Sequence, residues 1–313
     1  MHIVVLGSAA GGGFPQWNCN APTSRAARQG SVTARRRTQA SIAVSADGEN
    51  WLLINASPDF RQQVQQNAQL WPKPSDSKSG GLRHSPIKAV LLTSAEVDHI
   101  AGLLSMRESQ AFTLWATPRV HAILAENPIF TALNPAHVER RDFALDDRRQ
   151  VTGCGAALGL TIEAFSVPGK VPLFLEGRIG AGGDLAGSSD ETIGLKISGG
   201  GKSFHFIPGC ARLTPELRDR LRGASLLFFD GTLWRDDELV QLGIGSKTGH
   251  RMGHMSISDP DGTLAAFADL DVRRKIFIHV NTTNPILIDG SPERRAIQAQ
   301  GWEMAEDGME IHL

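Results

Sequence analysis

Short apolar or β-branched runs bounded by turn residues recur along the whole chain. They are His2 to Leu6, Ser41 to Val44, Trp51 to Asn55, Ala89 to Thr93, Leu160 to Val167, Glu191 to Ile197, Ser203 to Pro208, Leu226 to Asp230 and Lys275 to Val280. Each has the length and composition of a β-strand. Between them lie helical patterns at Pro58 to Leu70, His99 to Gln110, Pro118 to Glu126, Thr214 to Leu221, Pro260 to Ala268 and Pro292 to Gln300, several opened by proline or capped by Ser, Thr or Asp. The class is α/β. Strands crowd both halves of the chain, which suits two sheets packed face to face. The Gly/Ser/Pro-rich stretches Lys73 to Gly81 and Gly177 to Ser189 read as surface loops, too short for interdomain linkers, so one domain over 1–313 is expected.

Composition narrows the partners more than the fold. The 313 residues carry 33 Asp+Glu against 32 Lys+Arg, with 41% hydrophobic and 21% charged residues, an ordinary balance for a globular protein with a large core. A net charge of −1 points to no nucleic-acid partner. The cluster Arg25, Arg28 and Arg35 to Arg37 reads first as a solvated loop face and second as an acid-binding patch. Three well-separated cysteines, at 19, 154 and 210, form neither a Cys-x-x-Cys pair nor an even disulfide framework, which suits a reducing cytoplasm. The N-terminus has no basic segment before its apolar run, and apolar stretches such as Ala89 to Leu92 are strand-sized, so neither secretion nor membrane insertion is expected.

Three familiar motifs fail. Gly7, Gly11, Gly12 and Gly13 follow the first strand but lack the Gly-x-Gly-x-x-Gly spacing of a dinucleotide site. Gly201-Lys202-Ser203 imitates the end of a phosphate-binding loop, yet a strand follows where a helix should start, which leaves a hairpin turn. Ser57 lacks the flanking glycines of a nucleophile elbow.

The chemistry gathers at strand ends. Histidines 84, 121, 137, 205 and 312 stand in polar or loop-like contexts and read as surface or capping residues. By contrast, one buried strand gives way to a helix at Asp98-His99, the apolar run Leu226 to Phe229 ends in Asp230, and Ile276 to Ile278 ends in His279. A carboxylate left unpaired at the end of a buried strand would be costly. For each residue alone, a helix cap or a hydrogen-bonded core group is the commoner role. Together, Asp98, His99, Asp230 and His279 make a mixed nitrogen and oxygen set suited to Zn, Fe or Mn.

Thr93 to Leu103 resembles the metallo-β-lactamase superfamily segment Thr-His-x-His-x-Asp-His-x-x-Gly-Leu, with Ser94 and Glu96 in place of the first two histidines. The resemblance extends further. Met1 to Cys19, Asn55-Ala-Ser-Pro-Asp, Val167-Pro-Gly-Lys-Val-Pro-Leu, Phe229-Asp-Gly-Thr-Leu-Trp, Gly253-His-Met-Ser-Ile, His279-Val-Asn-x-Thr-Asn-Pro-Ile and the closing Asp307-Gly-Met-Glu-Ile are similar to the coenzyme PQQ synthesis protein B family. That resemblance implies a four-layer αβ/βα sandwich. It also implies a role in pyrroloquinoline quinone biosynthesis, acting on a precursor made from the cross-linked Glu and Tyr of a small peptide.

Departures from the superfamily pattern shape the expected chemistry. Dinuclear members hold one metal with the first two histidines and a third after a later strand, and the second with the Asp-His pair, a bridging Asp and a last His. This chain keeps the second set, so the resemblance implies one metal, with Asp98, His99, Asp230 and His279 as ligands and open positions for substrate or dioxygen. Two imidazoles and a carboxylate follow the ligand logic of non-haem Fe(II), although zinc also fits. Glu96 reads as a weak ligand, a carboxylate behind the ligands, a general base or a helix N-terminal carboxylate; His254 reads as a proton-transfer residue or a loop contact. Family members with Cys-x-Cys-x-x-Cys near the N-terminus have the spacing of a structural zinc site; here the positions read Cys19, Ala21 and Ser24, so no such zinc is expected. Asn281 and Asn284, in segments shared with the family, are candidates for substrate binding, and Trp17 for packing or stacking. Three functions stay open: an iron-dependent hydroxylase of the tyrosine-derived ring, a metal-dependent hydrolase, and a carrier of PQQ or its precursor. Other proteins of the same pathway and a second copy of the chain, by analogy with the superfamily, are the expected partners.

Overall fold

The computed structural model describes residues 1–73, 82–178 and 190–313. The loop readings at Lys73 to Gly81 and Gly177 to Ser189 therefore fall largely outside the described residues. Among those described, fourteen strands build two sheets of seven. The first has the order β14 (Glu310–His312), β1 (His2–Gly7), β2 (Ser41–Ser45), β3 (Trp51–Ile54), β4 (Ile87–Leu91), β5 (Phe112–Ala116), β6 (Val138–Asp142). The second runs β13 (Trp302–Met304), β12 (Lys275–Ile278), β11 (Leu227–Asp230), β10 (Lys202–Ile207), β9 (Ile193–Gly199), β8 (Ala156–Ser166), β7 (Arg148–Gly153). Both sheets are mixed: β3 to β6 are parallel, as are β10 to β13, and the remaining pairs are antiparallel.

Period-two alternation sorts the side chains into layers. From β1, Ile3 and Val5 enter the central core between the sheets, where they join Ile42, Leu91, Ile197, Phe206, Phe228 and Ile276. Val4 and Leu6 point the other way, beneath the helix Pro118–Glu126, with Val120, Ile123 and Leu124. On the far side Phe229 and Phe277 meet Leu217 and Leu221 from the helix Pro215–Leu221, Phe267 at the end of the helix Thr263–Ala266, and Trp302 of β13. Helix, sheet, sheet, helix is the four-layer arrangement that the family resemblance implies.

All nine expected strands form, and Gly200 and Gly201 turn the β9–β10 hairpin with positive φ, as the failed phosphate loop required. Helix lengths differ more. The stretch read as one helix from His99 is a short α-helix, Val97–Ile100, followed by 3-10 turns over Ala101–Met106. Strands β5, β6, β7, β13 and β14 and the helix Pro22–Arg28 are additional. Arg25, Arg28, Arg35 and Arg36 are exposed, as a solvated face requires, while several of the guanidinium groups also tie down backbone carbonyls. Arg28 donates to the carbonyls of Gln16, Trp17 and Cys19, Arg36 to that of Ala27, and Arg37, only 5% exposed, to Ala305 O at 2.8 Å. Arg35 stays outside, paired with Asp289 and Glu306.

The sheets meet at one rim. Isolated backbone bridges join Ala9 to Val280 and Ser94 to Thr192, so the end of β1 is held to that of β12 and the end of β4 to the start of β9. Asn55 sharpens the junction: its side chain accepts from Thr93 N at 2.9 Å and its amide donates to Thr93 Oγ1 at 2.9 Å, which fixes where β4 ends.

Candidate metal centre

Asp98, His99 and His279 converge at that rim. Asp98 and His99 sit in the short helix after β4, and His279 follows β12 with a left-handed φ of 61°, a conformation unusual for any residue but glycine. His279 Nε2 lies 2.9 Å from Asp98 Oδ2, and His99 Nε2 lies 3.8 Å from the same oxygen. Such separations suit groups sharing one ion at about 2.0–2.2 Å from each.

The neighbours of each ring set which nitrogen faces inward. His99 Nδ1 lies 2.7 Å from Ser94 Oγ, while its Nε2 is buried and has no hydrogen-bond partner among the described residues. A buried, orphaned imidazole nitrogen is costly unless something fills the place. Thr232 Oγ1 donates to Asp230 Oδ1 at 2.6 Å, so it accepts from His279 Nδ1 at 2.8 Å. That chain puts the proton of His279 on Nδ1 and leaves Nε2 as a lone-pair donor toward Asp98 and His99.

Electrostatics agree with a cation between these groups. Burial disfavours the charged Asp98 carboxylate, but His99 and His279 outweigh it and hold its pKa well below the usual range. Burial pushes the His99 ring down despite Asp98. For His279, burial is overcome by Asp98 and its pKa rises. Two imidazoles, one carboxylate and an orphaned nitrogen fit a divalent transition metal.

Asp230, His254 and His279 form a second candidate group, with one ligand atom from each within 4.8 Å of the other two. Asp230 is fully buried and accepts from Cys210 N at 2.9 Å, Thr232 N at 3.0 Å, Thr232 Oγ1, and His254 Nδ1 at 2.7 Å. Through Thr232 and His254, Asp230 is tied to the Nδ1 side of His279. His254, joined to Asp230 and stacked on the His279 ring at 5.2 Å, lines the cavity.

Glu96 occupies the N-cap of the Val97–Ile100 helix without capping it, because its carboxylate accepts from Lys170 Nζ at 2.8 Å and Leu173 N at 3.2 Å. Lys170 also lies 3.1 Å from Glu176 Oε1, and Glu176 pairs with Lys247 at 2.6 Å. Glu96 thus lines the cavity with its carboxylate paired to Lys170. Asn281 lines the cavity and donates to Thr283. Asn284 does not reach it: fully buried, it donates to Gly231 O and caps the turn at Pro285–Leu287. Trp17 is 86% exposed and packs in no core.

The cavity over the centre holds about 510 Å3 and has an apolar wall of Val97, Leu173, Leu239 and Met252 facing the imidazoles. A larger one of about 730 Å3 lies beyond the Gly12–Gly13 turn, among Arg37, Asp59 and Asp307, and contains no imidazole. Missing from the sequence reading were Thr232, Glu176 and Lys247. Thr232 had a signal, since it follows Asp230 at the end of the same strand.

Residues 50–280 match the β-lactamase superfamily domain. A relative from Xanthomonas campestris pv. campestris (strain B100), Coenzyme PQQ synthesis protein B, is 62% identical over 313 residues, covering all of both chains. The crystal structure of zinc-bound PqqB from Methylobacterium extorquens superposes with a TM-score of 0.93 at 48% identity, again over all of both chains. A diphosphatase of the PhnP family, at 19% identity and TM-score 0.69 over 99% of this chain and 96% of its own, shares the fold alone.

Proposed function

The chain belongs to the coenzyme PQQ synthesis protein B family of the β-lactamase superfamily, and from that premise we propose that it acts in pyrroloquinoline quinone biosynthesis as a mononuclear iron-dependent hydroxylase. The substrate is the tyrosine-derived ring of the Glu–Tyr cross-linked precursor. In the reaction a ring C–H becomes C–OH; one atom of dioxygen enters the ring and the other leaves as water. Two electrons and two protons come from an external two-electron reductant of the ascorbate class.

The observation that carries the reading is the convergence of His99 Nε2, His279 Nε2 and an Asp98 oxygen from two sheets, with His99 Nε2 otherwise unpartnered. Fe(II) held there would supply dioxygen activation. The protein's own part is positional. Ser94 and, through Thr232, Asp230 hold the two imidazoles by their Nδ1 atoms. His254, tied to Asp230 by Nδ1, is left to exchange a proton with a substrate hydroxyl through its other nitrogen. The apolar wall seats the aromatic ring, and the Lys170–Glu96–Glu176–Lys247 network walls the cavity with charge already paired.

The test is anaerobic reconstitution with Fe(II), removal of loosely held metal, then oxygen, ascorbate and the cross-linked diamino acid, with products read by mass spectrometry. Expected are one retained iron per chain and a product heavier by one oxygen. Asp98→Ala and His279→Ala abolish both, and Thr232→Val weakens iron binding about 10–100-fold. Precursor bound but never oxidised, irrespective of those residues, would leave a carrier.

A further inference from the structure

A second cluster of ligand-bearing side chains lies at the opposite end of the first sheet, where the two chain termini pair. β1 and β14 are antiparallel with His2 opposite His312 and Val4 opposite Glu310. Residues two apart on a strand share a face, so His2, Glu310 and His312 project from the same side of the sheet. β1 runs from this cluster toward the glycine turn that lines the metal cavity, and His2–Gly7 alone spans about 17 Å at the rise of a strand.

The three groups are arranged for a common partner. His2 Nε2 lies 2.8 Å from Glu310 Oε2, and His312 Nε2 lies 3.9 Å from the same oxygen. One donor atom from each falls within 4.8 Å of the other two. The imidazoles stack at 4.2 Å between ring centres, which carries both Nε2 edges toward the carboxylate. Part of the geometry is fixed beforehand. Trp51 meets His2 edge-on at 5.1 Å, and Gln69 Nε2 donates to Glu310 Oε1 at 2.6 Å, which leaves Oε2 for another partner.

We propose that His2, Glu310 and His312 form a separate surface site for a divalent transition metal of the Zn(II), Ni(II) or Cu(II) kind. Two imidazoles and a carboxylate favour these ions, and the affinity order places Fe(II) below all three. The site is open, with His312 71% exposed, so water completes the coordination. Because its ligands come from the first and last strands, an ion there clamps the two termini, where Met1 N already donates to Leu313 O at 3.0 Å.

Calorimetric titration of the untagged, full-length, metal-free chain with Ni(II) tests this. The wild type should take two equivalents. His312→Ala, exposed enough to leave folding alone, should take one, and so should Asp98→Ala, which removes only the cavity site. Glu310→Gln keeps the size of the side chain and should weaken the surface equivalent at least tenfold. Equal Ni(II) stoichiometry and affinity in the wild type and His312→Ala would overturn the site. The iron centre is judged separately, by whether Asp98→Ala loses its own equivalent.

Discussion

Among single residues, His205 departs furthest from its expected place. Its strand β10 was legible, and alternation sends Phe204 and Phe206 into the central core, so His205 had to face outward. Outward is not exposed here. The ring is 4% accessible, 6.1 Å from the Phe165 ring, with both nitrogens unpartnered among the described residues. Burial, then Lys196 and Arg220, push its pKa down to about 4. The unfolded chain binds a proton near pH 6.5, whereas the folded chain does not until about pH 4. The folded state therefore loses stability as pH falls through that window, by on the order of 3 kcal/mol in all, and loses none above it. His205→Phe should flatten that decline relative to the wild type in urea titrations at pH 7.5 and 4.5. Parallel declines in the two proteins would show that the ring contributes nothing to acid sensitivity.

Most strands with one-sided or complete burial were legible in the sequence, but the fully buried β5 was missed along with strands that lack a clear apolar pattern. β6, Val138–Asp142, is an edge strand whose Glu139, Arg140 and Arg141 show no apolar alternation, and charged edges of this kind block pairing with other chains. β13 and β14 have three residues each, too few for a pattern. At the site, strand ends announced Asp98, His99 and His279, but Asp230 and Glu96 owe their roles to partners 20 to 77 residues away, Cys210, His254, Lys170 and Leu173, which no local pattern reveals.

The interrupted helix after Asp98 has a local cause. A β-carbon at Gly102 would stand 2.2 Å from Ser57 O and 2.7 Å from Ala56 O, while Ala56 N donates to the carbonyl of His99 at 2.7 Å. The turn carrying two ligands is thus pressed onto the backbone after β3. Gly102→Ala must push it away, at about 1–3 kcal/mol. A thermal midpoint lower by several degrees and metal affinity at the cavity weaker by at least tenfold are expected. Gly177→Ala, where an added carbon meets nothing within 4 Å among the described residues, should match the wild type in both. Wild-type metal affinity in Gly102→Ala would show that the seat of the helix does not position His99.

At the scale of the whole molecule, the cavity ligands belong to different sheets. Asp98 and His99 extend β4 of the first and His279 extends β12 of the second, and the metal-free protein spans the gap with the 2.9 Å Asp98–His279 contact. An ion in that place binds the folded arrangement and has no preformed counterpart in the unfolded chain, so it stabilises the fold by mass action, about 2.7 kcal/mol at a hundredfold excess over Kd. To keep the surface cluster out of the measurement, Zn(II) is added to His312→Ala with and without His279→Ala. The thermal midpoint of the first should rise by several degrees, and that of the double variant should stay where it was. If zinc raised both equally, the stabilising ion would lie elsewhere, and the junction between the sheets would owe its cohesion to the Ala9–Val280 and Ser94–Thr192 bridges and the core beneath them.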